Sequence, residues 1–272
     1  MQGHRLALGV AYDGSDWHGW QKQPHGRTIQ NQLEQALSSF LAQPVTTICA
    51  GRTDAGVHAL EQIVHLDTTV QRAEHAWVRG LNSYLPNSIR VQWAHRVGPD
   101  FHARFGAQKR HYIYILRNAA VPSPFAATRM GWVFRPLSLE PMQQAAQLFV
   151  GTHDFSAFRS AECQAHSPIR SIEQLQIVQQ GDILVFYFCA NAFLHHMIRN
   201  MMGTLIAIGL GRQPVHWVED LLKAKDRRAA APTFSPAGLY LAKVDYAANW
   251  GLPSSSIEQL LHTHLGLSYG KV

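Results

Sequence analysis

Between Arg5 and Val97 the hydrophobic period switches between two and about 3.6 residues in a set order, and that order restricts the fold more than any other feature. Residues 5–12 (RLALGVAY) read as a strand that stops at the turn-forming pair Asp13-Gly14. Thr28 then caps a helix reaching about Leu41, with Ile29, Leu33, Leu37 and Leu41 at helical spacing. Residues 45–50 and 62–67 read as the second and third strands. Residues 73–85 form a helix closed by Pro86, and residues 89–97 a fourth strand. Strand–helix–strand–strand–helix–strand is the split βαβ, or ferredoxin-like, order. It predicts an α+β fold with an antiparallel sheet, helices on one face and the other face open to a ligand.

The second half begins again with the alternating strand His111-Tyr-Ile-Tyr-Ile-Leu116, then a loop holding Pro122 and Pro124. A helix over 139–150 carries Pro141 in its first turn, where its missing N–H costs nothing. Residues 172–178 and 183–188 pair across Gln180-Gly181-Asp182. An apolar helix near 195–208, a helix over 215–225 and a last strand over 239–244 complete the pattern. The expected organisation is two α+β subdomains of similar plan, 1–105 and 106–246. A peripheral tail, 247–272, follows, with Pro253 and Ser254-Ser255-Ser256 ahead of a short amphipathic stretch.

Charge points to the class of partner. The chain has 24 Lys plus Arg against 18 Asp plus Glu, a net charge of +6, and 16 His. Such a basic surface attracts phosphate-rich molecules. No apolar stretch approaches the roughly 18–20 residues that span a bilayer, so no membrane association is expected. Met1-Gln2-Gly3-His4-Arg5 leads straight into a strand without an apolar signal core, which predicts a cytoplasmic protein. Cys49, Cys163 and Cys189 are far apart, which argues against a zinc site or a disulfide framework and for three buried apolar thiols.

Three segments concentrate chemistry. In Ala50-Gly-Arg-Thr-Asp-Ala-Gly-Val-His-Ala59 two glycines bracket Arg52, Thr53 and Asp54, permitting a tight path and close approach of another molecule. Asp54 is then a presented carboxylate or the anchor of an Asx turn. Metal ligation by Asp54 and His58 lacks a third ligand at a diagnostic spacing. Phe101-His-Ala-Arg-Phe105 and Lys109-Arg-His-Tyr-Ile-Tyr114 interleave cations with aromatics, which suits stacking on bases and binding of phosphates. Tyr112 and Tyr114 share one strand face, and packing both into the core is the alternative. In Phe193-Leu-His-His-Met-Ile-Arg-Asn200, Arg199 sits within an apolar helix and demands a carboxylate partner, while His195-His196 reads as helix-start polarity.

Gly51-Arg-Thr-Asp-Ala-Gly-Val-His58 strongly resembles the catalytic motif of the TruA family of tRNA pseudouridine synthases. Tyr12-Asp-Gly-Ser with Gly19-Trp-Gln, Phe101-His-Ala-Arg-Phe, Arg110-His-Tyr-Ile-Tyr, Asp154-Phe-Ser-Ala-Phe158 and Phe193-Leu-His-His-Met-Ile-Arg-Asn200 resemble further family signatures, in family order. The resemblance implies a pseudouridine synthase fold of two RRM-like units with a central basic cleft. It implies isomerisation of uridine in the anticodon stem-loop of tRNA, positions 38–40, by a homodimer using no cofactor and no metal. Asp54 becomes the nucleophilic carboxylate, and attack at C6 of the base or at C1′ of the ribose stays open. Arg199 becomes the cation that keeps it ionised, and Tyr112 the ring that stacks on uracil. Arg52 contacts RNA beside the loop, and Arg5, Lys22, Arg79, Arg104, Lys109 and Arg110 are the cations available to phosphates. One departure is Ala231-Pro-Thr-Phe-Ser-Pro-Ala237, whose Phe234 is bulkier than the small residues expected there. A non-catalytic RNA-binding module also accounts for Tyr112, Tyr114 and the charge, but not for Asp54 in its tight loop; a His-based metal hydrolase has least support.

Overall fold

The structure, a computed structural model, describes residues 3–266. Its elements are β1 (His4–Tyr12), α1 (Ile29–Leu41), β2 (Ile48–Cys49), β3 (His58–Thr68), α2 (Glu74–Tyr84), β4 (Ile89–Val97), β5 (Lys109–Asn118) and β6 (Gly131–Val133). They continue with α3 (Leu139–Gln147), β7 (Gly151–Asp154), β8 (Ile169–Gln180), β9 (Ile183–Ala190), α4 (Met197–Gly209), α5 (Trp217–Ala224), β10 (Leu239–Asp245) and α6 (Ile257–Leu265). The chain divides into two compact units. One runs to Gln108 and resumes at Tyr240; the other is Lys109–Leu239.

The first unit orders its strands β4-β1-β3-β10, with β2 also on β3. β1 lies antiparallel between β3 and β4, setting Gly9 opposite both Ile63 and Trp93. β10 runs parallel to the start of β3, Tyr240 opposite His58. The sequence placed this strand with the second half of the chain. A strand's apolar pattern reports that it pairs but not with what, and the free edge of β3 takes it. α1 begins at Thr28, whose side chain accepts from the Asn31 N–H, and α2 packs on α1 and β4.

Two expectations for this unit change. β2 is two residues long because Thr47 bonds a side chain instead of a strand: its N–H and hydroxyl both donate to the buried Glu34 carboxylate, at 2.9 and 3.1 Å. The sheet face expected to be open is covered. Residues of both parities in β1 and β3 are buried, and His65 packs its ring edge against Phe101, which meets Tyr246 and Trp250. Trp250, from the tail expected to be peripheral, therefore helps to roof this face, and α6, closed by a Ser256–Gln259 capping box, buries Leu260 and Leu261.

The second unit orders its strands β5-β9-β8-β7, with β6 parallel to β5 at Leu116–Asn118. Neither β6 nor β7 was expected, since three or four residues carry no readable period. The β8–β9 hairpin turns through Gly181-Asp182 between the paired Gln180 and Ile183, with Gly181 at φ 60°, a value that only glycine adopts freely. α3 packs on β8 and α4. Of the cysteines only Cys189 is buried; Cys49 and Cys163 are partly exposed, against the expectation of three buried thiols.

Candidate active site

Asp54 is partly exposed on the loop joining β2 to β3. That loop is tied down from both sides. Before it, the fully buried Gln62 clamps Gly51: Nε2 donates to the Gly51 carbonyl at 2.5 Å and Oε1 accepts its N–H at 3.4 Å. At its centre the Thr53 hydroxyl bonds the Tyr12 hydroxyl at 2.7 Å, and the Thr53 carbonyl accepts the Trp20 N–H at 3.0 Å. After it, Gly56 takes φ 76° and donates to the Trp17 carbonyl, while Val57 donates to that of Asp54.

The segment 13–20 is thus the loop's other half. A Cβ on Gly14 would fall 2.0 Å from the Val57 carbonyl oxygen, and one on Gly19, at φ 82°, 2.8 Å from that of Thr53. Both motifs flanking Ser15 need glycine because the Asp54 loop passes against them. His58, stacked on Tyr240 at 4.5 Å, sets its Nδ1 3.0 Å from the Gly14 N–H and 3.2 Å from Asp13 Oδ1. That nitrogen accepts from Gly14 in the neutral ring and faces Asp13 as a donor when protonated. The His58 imidazole, with the N–H and hydroxyl of Ser15, holds the Asp13 carboxyl well below the usual carboxylate range.

The second unit holds Tyr112 and Arg199. Tyr112 and Tyr114 share a face of β5, opposite Phe188 and Phe186. Their roles differ. Both are buried; Tyr114 is fully enclosed, its hydroxyl donating to the Ser235 carbonyl, while Tyr112, 8% exposed, meets Phe193 edge-on at 5.1 Å. Arg199 is half-buried on α4; its Nε donates to the Phe234 carbonyl at 2.9 Å, and the Phe234 N–H donates back to the Arg199 carbonyl at 3.1 Å. The bulky Phe234 ring packs 5.8 Å from that of Tyr114. Below, buried Asn200 donates to the Phe158 carbonyl and accepts from Thr233 and Arg227, fixing the helix start. His196 enters α4 at φ 64°, a strained value for a non-glycine residue.

The expected phosphate-binding cations separate into groups. Arg5 spends its guanidinium on both Asp67 oxygens, at 2.8 Å each, and on the Pro99 and Phe101 carbonyls. Lys22 pairs with the buried Glu34 at 3.1 Å, Lys109 with Glu173, and Arg110 donates to the Asn191 carbonyl. Arg52 and Arg79 are exposed, as is Arg104, which lies over the exposed Phe105 ring. The supporting roles of Gln62, Asn200 and Glu34, and the pairing of Asp13 with His58, were not read from the sequence. The only signal for Gln62 was an amide side chain at the start of the strand just after the glycine loop.

A family model described as tRNA pseudouridine synthase matches residues 9–106 and 145–247. The chain belongs to the tRNA pseudouridine synthase family. It is 54% identical over 251 residues to tRNA pseudouridine synthase A of Bordetella avium (strain 197N), covering 92% of this chain and 94% of that one. It is 52% identical over 261 residues to the protein of that name from Herminiimonas arsenicoxydans, covering 94% and 95%. Among solved structures, an archaeal box H/ACA sRNP Nop10–Cbf5 complex aligns at 11% identity and a TM-score of 0.36, over 83% of this chain and 60% of that chain. Membership makes the chain an enzyme that isomerises uridine to pseudouridine in tRNA. The segments matching the tRNA pseudouridine synthase family include the Asp54 loop, its 13–20 support and Arg199; Lys109, Arg110 and Tyr112 lie outside them. No helix among the described residues is long and apolar enough to cross a membrane.

Proposed function

We propose that the chain converts uridine to pseudouridine at positions 38–40 of the tRNA anticodon stem-loop, with Asp54 as nucleophile and no cofactor, as a cytoplasmic homodimer. The observation that carries the assignment of Asp54 is a partly exposed carboxylate on a loop whose flanking residues Gly51, Thr53, Gly56 and Val57 are all hydrogen-bonded. A group so held loses little freedom on meeting a reacting atom, which is how positioning lowers a barrier. The target nucleotide leaves its stack, the carboxylate attacks C1′ of the ribose or C6 of the base, and the glycosidic C1′–N1 bond breaks; the turned uracil forms the C1′–C5 bond, the bond to Asp54 breaks to return the free carboxylate, and N1 takes up a proton. The C5 proton is lost to solvent.

In this reading Arg199 is the cation that favours the ionised carboxylate, and Tyr112 offers its ring to the uracil. Arg52, Arg79 and Arg104, whose side chains reach solvent, take phosphates, joined by Lys109 and Arg110. Arg5 and Lys22 serve carboxylates of the fold first.

Asp54→Asn tests the core of the proposal. Tritium release from tRNA labelled at uridine C5 should fall on the order of 10³-fold or more, the scale of losing a nucleophile, with tRNA binding and thermal stability retained. Turnover near the parent rate removes Asp54 from the mechanism. Transcripts with cytidine at 38, 39 and 40 should release nothing; undiminished release refutes the anticodon assignment.

A further inference from the structure

β1 ends at Tyr12, beside the Asp54 loop, and begins at His4; eight residue steps of strand separate the two by about 26 Å. At the His4 end a recess of about 320 Å³ opens on the helix side of the sheet, lined by His4, Gln71, Arg72, Glu74, Trp77 and Arg96. None of these residues belongs to the machinery described above.

The recess is short of negative charge and of acceptors. Arg72 lies 4.4 Å over the Phe40 ring, which fixes its guanidinium without neutralising it. Neither Arg72 nor Arg96 has a carboxylate partner within ion-pair distance among the described residues. Glu74, the lining carboxylate, accepts instead from His95 Nδ1 at 2.9 Å and from the Arg96 N–H at 3.4 Å. His4 Nδ1 is buried and bonds to nothing, an uncommon condition for an interior polar atom. The burial of His4, with Arg96 beside it, keeps that imidazole uncharged more readily than usual. Finally, α2 starts here at Ala73, which has no side-chain oxygen to offer the first-turn N–H groups.

Two unpaired guanidiniums and a spare imidazole nitrogen suit a tetrahedral oxyanion, since each guanidinium matches two of its oxygens. The volume exceeds that of one phosphate group and admits an attached sugar. We propose that this recess binds a phosphate group, and specifically a backbone phosphodiester of the substrate tRNA held far from the reacting nucleotide. The RNA source rests on the function proposed above; the phosphate chemistry does not.

The test uses the full chain in two arms. In the first, wild-type protein is titrated with inorganic phosphate while the imidazole and guanidinium NMR signals of His4 and Arg96 are followed; both should shift saturably. In the second, tRNA affinity is measured from 50 to 200 mM salt for wild type, Arg72→Gln and Arg96→Gln. Each variant should bind about tenfold more weakly at the low-salt end, and the slope of log K against log salt should shrink by about one. A changed slope, with or without phosphate shifts, assigns the recess to RNA backbone. Phosphate shifts with an unchanged slope keep the phosphate site and overturn its RNA source. Silence in both arms overturns the proposal, and the wild-type arm does not depend on a variant folding. Tritium release by wild type is read in parallel: turnover with a silent recess sinks only this inference, and no turnover with a responding recess sinks only the catalytic reading.

Discussion

Replacing Gln62 by Leu removes the clamp on the Asp54 loop while nearly preserving side-chain volume. Gln62 is fully buried, and its two bonds reach the carbonyl and N–H of Gly51, three residues before Asp54. Leucine leaves that carbonyl without its partner, at a cost of about 1–3 kcal/mol. For a chain of this size that lowers Tm by roughly 2–4 °C per kcal/mol. The loop still forms, because the bonds of Thr53 to Tyr12 and Trp20 and that of Gly56 to Trp17 remain. Its first half is then free to shift, and a misplacement of about 1 Å is worth about 10²-fold in rate. In single-turnover tritium release, kcat should therefore drop about 10²-fold with KM for tRNA within about threefold, since Gln62 is shielded from RNA. Gln62→Glu sharpens the test: nearly isosteric, it accepts from the Gly51 N–H, but only its protonated form can donate to the carbonyl, so its impairment should deepen as pH rises and the carboxyl ionises. A Gln62→Leu protein that loses stability yet turns over within threefold of wild type would show the clamp to be structural only.

Two further perturbations check the energetics. Burial raises the Glu61 carboxyl above its ordinary value of 4.5, so its stabilising contribution is complete below that value and fades as pH rises through the higher folded one. Glu61→Gln keeps an acceptor for Trp93 Nε1 and should gain Tm on wild type between pH 4 and 8; a pH-independent gap refutes this. Leu261→Ala should cost about 2–4 kcal/mol in denaturant unfolding, as for a core leucine, because α6 seals the sheet; a loss under about 0.5 kcal/mol would return the tail to the periphery.

Much of the architecture was legible because it is local. Thr28 precedes an apolar stripe at helical spacing and caps α1; Gly181 sits between two alternating runs and turns the β8–β9 hairpin. The loop that carries Asp54 was legible for a similar reason, since two close glycines after a strand imply a tight path that something approaches. Less could be read where a residue's role depends on a distant partner. Arg5 looks like any surface cation until β3 brings Asp67 beside it, and Lys22 until α1 buries Glu34.

The sequence by itself determined the order of the longer strands and helices, the net positive charge and the loop that presents Asp54. Periodicity, turn chemistry and glycine freedom act over a few residues and need no knowledge of the rest of the chain. Only the tertiary structure decided that β10 joins β3, that residues after Val97 and the tail close the sheet face, and that Gln62 grips Gly51. Those outcomes follow from which buried polar atoms and apolar faces find each other across the chain, a competition settled by burial and register.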